Sequence, residues 1–308
     1  MNLLKKENLK RLMSPKNIAF FGGNDVEIAI KEAQRRGFTG PIWPINPNRK
    51  SILGIKCFKS IHELPTSPDA SFIAVPSKFV SRIITDLAKN GAGGAVCYSA
   101  GFGEIGTEGK LLESELLSIA KNMPIIGPNC YGFINYLDNV ALWPFAHGGI
   151  SLGYGAAIIT QSGMLSSDIT MTDRSIPLTH MISVGNQASV RIEDLIDILC
   201  ENPNVKAIGI HIEGIKDVRK FHKAALKSLK NHVPIVALKT GTSAIGGSLT
   251  TTHTGSLSGE DSLYEALFRR IGIIRVKSPI LFLELLKFLC IAGIPKDNTI
   301  AAFTCSGG

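Results

Sequence analysis

"NIAFFGGNDVEIAIKEAQRRGFTGPIWPINP", residues 17–47, decides the fold. Residues 18–21 are an unbroken apolar run, the mark of a strand buried on both faces. Gly22 and Gly23 interrupt it, "DVEIAIKEAQRRGF" reads as a helix closed by Gly37, and "PIWPINP" is a second strand. Two buried strands joined through a helix lie parallel, because a parallel pair needs a crossover connection.

The same unit repeats outward. "ASFIAVP" (70–76), the helix "FVSRIITDLAKNG", the strand "GAVCYSAG" (94–101), the helix "TEGKLLESELLSIAKNM" and the strand "PIIGPNC" (124–130) extend one doubly wound parallel sheet. A looser, Gly-containing stretch at residues 145–155, "FAHGGISLGYG", marks a domain junction. A second series follows: "AAIITQSG", a helix, "LTHMISVGN", the helix "VRIEDLIDILCENP", "VKAIGIHIEG", the helix "DVRKFHKAALKSLKNH" and "PIVALKTG". Beyond the Gly/Ser/Thr-rich loop come the helix "EDSLYEALFRRIG", the strand "IIRVKS" and the apolar helix "PILFLELLKFLCIAG". "NTIAAFTCSGG" then reads as a strand without partners, the first of a truncated third domain. The expected class is α/β with two consecutive doubly wound parallel-sheet domains, residues 1–148 and 149–294, and the start of a third at 295–308.

Bulk composition fits this and excludes several functions. The chain has 308 residues, 44% of them hydrophobic and 19% charged, enough apolar material for two domains. No apolar run reaches the roughly 18 residues of a bilayer span, and the N-terminus lacks a signal-peptide core, which points to a cytoplasmic protein with no membrane role. Six cysteines are scattered without a CxxC pair or a His/Cys grouping, so neither a disulfide framework nor a metal site is indicated. The net charge of +8 is spread along helices with no aromatic-interleaved basic run, which argues against nucleic acid and suits a small phosphate-bearing ligand.

Ligands of open parallel sheets bind at the carboxyl ends of the strands. There the first series presents "FGGN", "INPN", "VPSK", "SAGF" and "GPNCYG", and the second "TQSG", "VGN", "IEG" and "KTG". These are short turns rich in glycine and hydroxyls, several opening helices whose free N–H groups attract phosphate. A nicotinamide site is disfavoured, since the first turn lacks G-x-G-x-x-G and "INPNRK" offers no acid for a ribose.

The loop "TTHTGSLSG" (251–259) surrounds His253 with small residues. Taken alone, such a histidine is most simply a solvated loop residue, and Glu213 in "HIEG" a surface carboxylate at a strand end. Their companions favour chemistry. Ser162 with Gly163, and Gly185 with Asn186, precede helices and can hold phosphate, while Glu213 ends the strand next to the one leading into the loop. An imidazole whose tautomer is fixed by a carboxylate can attack a phosphoryl group, and the phosphohistidine formed is held by backbone N–H groups.

In that order, "SPKNIAFFGG", "FTGPIWPINPN", "FIAVPSKFV", "GAGGAVCYSAGF", "GPNCYGFIN", "AAIITQSGML", "SVGNQASVRIEDLIDIL", "IGIHIEGI" and "THTGSLSG" resemble the NDP-forming acyl-CoA synthetases, relatives of the succinyl-CoA synthetase alpha subunit. The resemblance covers essentially the whole chain. It implies a CoA-binding Rossmann-like domain and a flavodoxin-like ligase domain, with His253 as the phosphorylated histidine and Glu213 as the glutamate that orients it. It also implies that Gly22, Asn46, Val75, Pro76, Ser99, Ala100, Gly101, Phe102, Asn129 and Cys130 line the CoA site. The implied reaction is acid, CoA and ATP to acyl-CoA, ADP and phosphate, by way of an acyl phosphate and phosphorylated His253. ATP and Mg are expected only on an ATP-grasp domain or subunit, which could be a partner in a homo- or hetero-oligomer. Three departures are visible: a shortened first loop, Asn48 where the family carries lysine, with Arg49 or Lys50 able to replace its charge, and no ATP-grasp region. The alternative is a CoA-binding or regulatory module of a protein acetyltransferase, where the histidine need not turn over. Trp143, Phe145 and His147, near the junction, could face an acyl pocket, although an apolar strand with a solvated histidine is the simpler reading.

Overall fold

The computed structural model of the chain describes residues 1–242, 261–299, 301–303 and 305. The first half runs α1 (Leu3–Met13), β1 (Ile18–Gly22), α2 (Asn24–Arg36), β2 (Ile42–Ile45), the short pair β3 (Ser51–Ile52) and β4 (Ile55–Lys56), β5 (Ala70–Ala74), α3 (Val80–Lys89), β6 (Gly94–Cys97), α4 (Thr107–Ala120) and β7 (Ile125–Ile126). The sheet order is β2-β1-β5-β6-β7, with every pair parallel. Val26, Ala29, Ile30 and Ala33 recur at helical spacing and are the buried face of α2, which Gly37 ends in a left-handed cap that donates to Ala33 O and Gln34 O.

The second half continues with β8 (Gly132–Asn135), β9 (Val140–Leu142), β10 (Gly155–Thr160), α5 (Gly163–Thr170), β11 (Leu178–Ser183), α6 (Ile192–Leu199), β12 (Val205–Ile212), α7 (Val218–Lys230) and β13 (Ile235–Lys239). α8 (Asp261–Arg270), β14 (Ile274–Val276) and α9 (Pro279–Ile291) complete the described elements. Their sheet has the order β14-β13-β12-β10-β11-β8-β9. Strand order therefore reverses between β1 and β5 in one sheet and between β10 and β12 in the other, and each reversal opens a crevice at the strands' carboxyl ends.

The hairpin at residues 132–142 differs from expectation. It falls within the expected first domain, residues 1–148, yet β8 pairs antiparallel with β11 of the second sheet, ahead of the junction expected at 145–155. Its turn carries Asn139 at φ 56, and Asn135 Oδ1 accepts from Leu137 N and Asp138 N. Of the strand expected at 298–308 to open a third domain, residues 298–299, 301–303 and 305 are described and belong to no named strand, and the rest lies outside the described residues.

Burial in the second sheet has a consequence for acid stability. His180 of β11 is 4% exposed, and burial, only partly offset by Asp138, pulls its pKa down to about 4. Between pH 6.5 and about 4 the unfolded chain therefore binds a proton that the folded chain excludes, and stability falls as pH drops through that window. The loss is on the order of 3 kcal/mol for this group. Urea midpoints measured from pH 7 to 4 should fall less steeply in His180→Gln than in the parent. His147, whose pKa burial also lowers to about 4, supplies the remaining slope.

Candidate active site

Five turns close around one cavity of about 600 Å³. Val75 and Pro76 follow β5, Ser99 and Ala100 follow β6, Asn129 and Cys130 follow β7, Ser162 and Gly163 follow β10, and Gly185 and Asn186 follow β11. The cavity thus lies where the carboxyl ends of the two sheets face each other. A neighbouring cavity of about 580 Å³ shares Ala74, Val75 and Pro76 and is lined by Gly22, Gly23, Asn46 and Asn48. Phe21, Ile45, Ile61, Phe79 and Ile83 give it an apolar floor, and Lys59 and Arg82 stand in its wall.

Local chemistry holds each turn. Ser99 Oγ donates to Val75 O at 2.5 Å and accepts from Val75 N at 3.3 Å, clamping the turn after β5 to the turn after β6. Asn46 Nδ2 donates to Gly22 O at 2.7 Å, and its Oδ1 accepts from Asn48 N and Arg49 N. Arg49 reaches across the shortened first loop to Asn24 Oδ1 at 2.6 Å. Gly22, at φ 147, brings its backbone so close to Ala74 O that an added Cβ would lie 2.4 Å from it.

On the second sheet, Ser162 caps α5 by accepting from Leu165 N at 3.4 Å, so the N-terminus of that helix opens into the cavity. Gly185, at φ 51, stacks its turn on the backbone of Pro128 and Asn129, and Asn186 N donates to Pro128 O at 3.0 Å. Glu213 is 6% exposed just beyond β12. Its turn is pinned by Gln161, whose Nε2 donates to Gly214 O at 2.7 Å and whose Oε1 accepts from Gly214 N at 3.0 Å and from Glu213 N. Lys239, at the end of the adjacent β13, sits 4.8 Å over the Tyr264 ring; burial lowers its pKa, against the pull of Asp261 and Glu213. Tyr264 OH accepts from Ile215 N at 3.2 Å.

Ser162, Gly163, Gly185, Asn186, Val75, Pro76, Ser99, Ala100, Asn129 and Cys130 thus surround one space, and Gly22 and Asn46 line the adjoining one. Gly101 and Phe102 line neither. Phe102 is fully buried in the core beneath, and the N–H groups of both residues donate to Glu104 Oε1. Cys130 is a wall and no nucleophile: burial pushes its thiol well above the ordinary range, and Sγ donates to backbone carbonyls of Cys97 and Ile126. His253 lies outside the described residues.

Trp143 is fully buried, Phe145 packs 4.5 Å from the Tyr131 ring, and neither lines these cavities. His147 is buried rather than solvated, with Nε2 3.6 Å from Glu32. Gln161 and Tyr131 also line the site, and the sequence signals this only through the adjacency of Gln161 to Ser162 in "TQSG". Among the described residues no group of three or more His, Cys, Asp or Glu could hold a metal ion, and no helix is long and apolar enough to cross a membrane.

Residues 17–136 match a CoA binding domain, and residues 154–289 match a succinyl-CoA ligase like flavodoxin domain. The chain is 35% identical over 312 residues to the alpha subunit of acetate–CoA ligase [ADP-forming] II of Pyrococcus furiosus, covering 97% of this chain and 66% of that protein. It is 32% identical to the alpha subunit of the isoenzyme I from the same organism, covering 98% of this chain and 67% of the relative. The solved acetyl-coenzyme A synthetase 1 of Ca. Korarchaeum cryptofilum, in complex with phosphate and ADP, superposes with a TM-score of 0.85 at 30% identity, over 94% of this chain and 64% of that one. The chain spans about two thirds of the length of these relatives. Its two matched domains, in this order and over nearly its whole length, place it in the NDP-forming (ADP-forming) acyl-CoA synthetase family.

Proposed function

We propose that this chain is the CoA-binding and phosphohistidine-carrying portion of an acyl-CoA synthetase that converts a carboxylic acid, CoA and ATP into acyl-CoA, ADP and phosphate. The single observation that supports this most is the shared cavity, in which turns of the matched CoA binding domain face the α5 N-terminus and the Gly185 turn of the matched ligase domain. The residues present fit CoA. The apolar floor with Lys59 and Arg82 suits an adenine flanked by phosphates, and the common wall at Ala74, Val75 and Pro76 leads from there towards Ser162. CoA supplies the thiol that captures the acyl group.

The chain's own groups divide the remaining work. In the direction of acyl-CoA formation, one imidazole nitrogen of His253 attacks the γ-phosphorus of ATP as ADP leaves. The phosphoryl group then passes to a carboxylate oxygen of the acid, which gives an acyl phosphate and frees the imidazole, and the CoA thiol displaces phosphate from the acyl phosphate. Glu213 holds the proton on the other imidazole nitrogen and stabilises the charge that develops. Ser162, Gly163 and Gly185 offer backbone N–H groups and a helix dipole to the transferred phosphate, and Asn186, whose own N–H donates to Pro128 O, holds the Gly185 turn in place beside it. ATP and Mg belong to an ATP-grasp domain or subunit, the expected partner. We assign residues 1–148 to the CoA-binding domain, whose hairpin at 132–142 extends the second sheet, 149–294 to the ligase domain and 295–308 to the start of a third.

The reading is tested by supplying the chain with an ATP-grasp subunit, ATP, CoA and a panel of acids beginning with acetate. The expected products are acyl-CoA with stoichiometric ADP and phosphate. Release of AMP and pyrophosphate, or acetylation of a protein substrate without ADP formation, would overturn it.

A further inference from the structure

A polar chain, buried at its centre on Asn186, links the two halves of this site. Glu104 Oε1 accepts the N–H of Gly101 at 2.6 Å and of Phe102 at 3.2 Å, and its Oε2 accepts Asn186 Nδ2 at 2.5 Å. The same amide nitrogen lies 3.3 Å from Glu113 Oε2, which also accepts Gly103 N at 3.2 Å. On its other side Asn186 O accepts Lys216 Nζ at 2.6 Å, and that ammonium is 4.0 Å from Glu113 Oε1. Lys216 follows Glu213 on the same turn. The carboxylates therefore come from elements beside the first sheet, the amide from the phosphate-side turn, and the ammonium from the Glu213 turn.

Asn186 is 3% exposed, so its amide and carbonyl cannot freely exchange these partners for water, although Glu104 and Glu113 are half-buried and Lys216 is exposed. Leaving one such buried group unsatisfied costs about 1–3 kcal/mol. Burial would raise the pKa of Glu104, but the Asn186 amide and the Gly101 N–H bring it below the ordinary carboxylate range. Burial lowers that of Lys216, with Glu113 opposing. A shift of the 101–103 turn must therefore move Asn186 and, through its carbonyl, Lys216, or else break the chain.

We propose that Glu104, Asn186 and Lys216 form a positioning relay by which an anion at the Ser162, Gly163 and Gly185 end orders the CoA-side turn, and CoA in turn orders the phosphate-side and Glu213 turns. The relay rests on the functional reading above. Coupling of this kind is reciprocal and acts through shared ordering, so phosphate should tighten CoA.

Calorimetric titration of CoA into the full chain, with and without inorganic phosphate at constant ionic strength, reads the coupling. In the parent, phosphate should tighten CoA by about fivefold or more. In Lys216→Met and in Glu104→Gln the ratio should fall to within about twofold of one while CoA still binds, and Lys216→Arg should recover part of it. A merely structural role would lower the melting temperature and leave the ratio intact. A ratio of one in the parent, or one that these substitutions leave unchanged, overturns the relay. No CoA binding by the parent overturns the functional reading itself, which distinguishes the two failures.

Discussion

Replacing Glu213 by Gln is expected to slow phosphorylation of His253 by about 10²–10⁴-fold while leaving CoA affinity within about twofold of the parent. The carboxamide keeps the size of the side chain, and the turn stays pinned through its backbone, since Gln161 holds the N–H of residue 213 and both backbone groups of Gly214. What changes is electrostatic. A carboxylate both fixes one tautomer of a neighbouring imidazole and stabilises positive charge on it, and an amide does the first poorly and the second hardly at all. Rapid-quench measurement of acid-labile label, run beside CoA titration, separates this from a folding defect. A fall of less than about tenfold would remove Glu213 from the chemistry.

Gly185→Ala should disrupt the site by a different route. At φ 51 the residue sits where side chains are disfavoured, and the new Cβ would lie 2.2 Å from Asn129 O, 2.4 Å from Pro128 O and 2.6 Å from Asn129 C. Left-handed backbone costs about 1–2 kcal/mol without glycine, and overpacking against a fixed backbone about 1–3 more. The 185 turn must lift from the 128–129 backbone, breaking the bond from Asn186 N to Pro128 O and displacing the Asn186 hub. The expected result is a loss of about 2–5 kcal/mol in urea stability and at least tenfold weaker CoA binding. Unchanged stability and affinity would mean the turn is not held as described.

Much of this architecture was legible in sequence because buried parallel strands announce themselves as unbroken apolar runs between helices. The strand-end turns were legible for a related reason: at "FGG", "TQSG" and "SVGN", glycines and small hydroxyls stand where apolar runs stop. The hairpin at 132–142 was not, because a short apolar run carries no record of which sheet it joins; its partner β11 lies some 45 residues onward. The run "SAGF" does not separate Phe102 from the turn it closes, whereas its side chain is fully buried in the core. The polar chain through Glu104, Asn186 and Lys216 left no local signal at all, since its members are 82 and 30 residues apart and meet only once both sheets have formed. Gln161 could have been suspected, as a buried amide beside a helix cap must spend its donors and acceptor on something near.

The central claim is that this chain carries phosphate on His253, and it can be measured directly. The chain is incubated with γ-labelled ATP and an ATP-grasp subunit, and the label is followed through base, acid and substitution. The account predicts label on the chain that survives base, is lost in acid, and is absent from His253→Ala. Acid-stable label, or label that persists in His253→Ala, would contradict it.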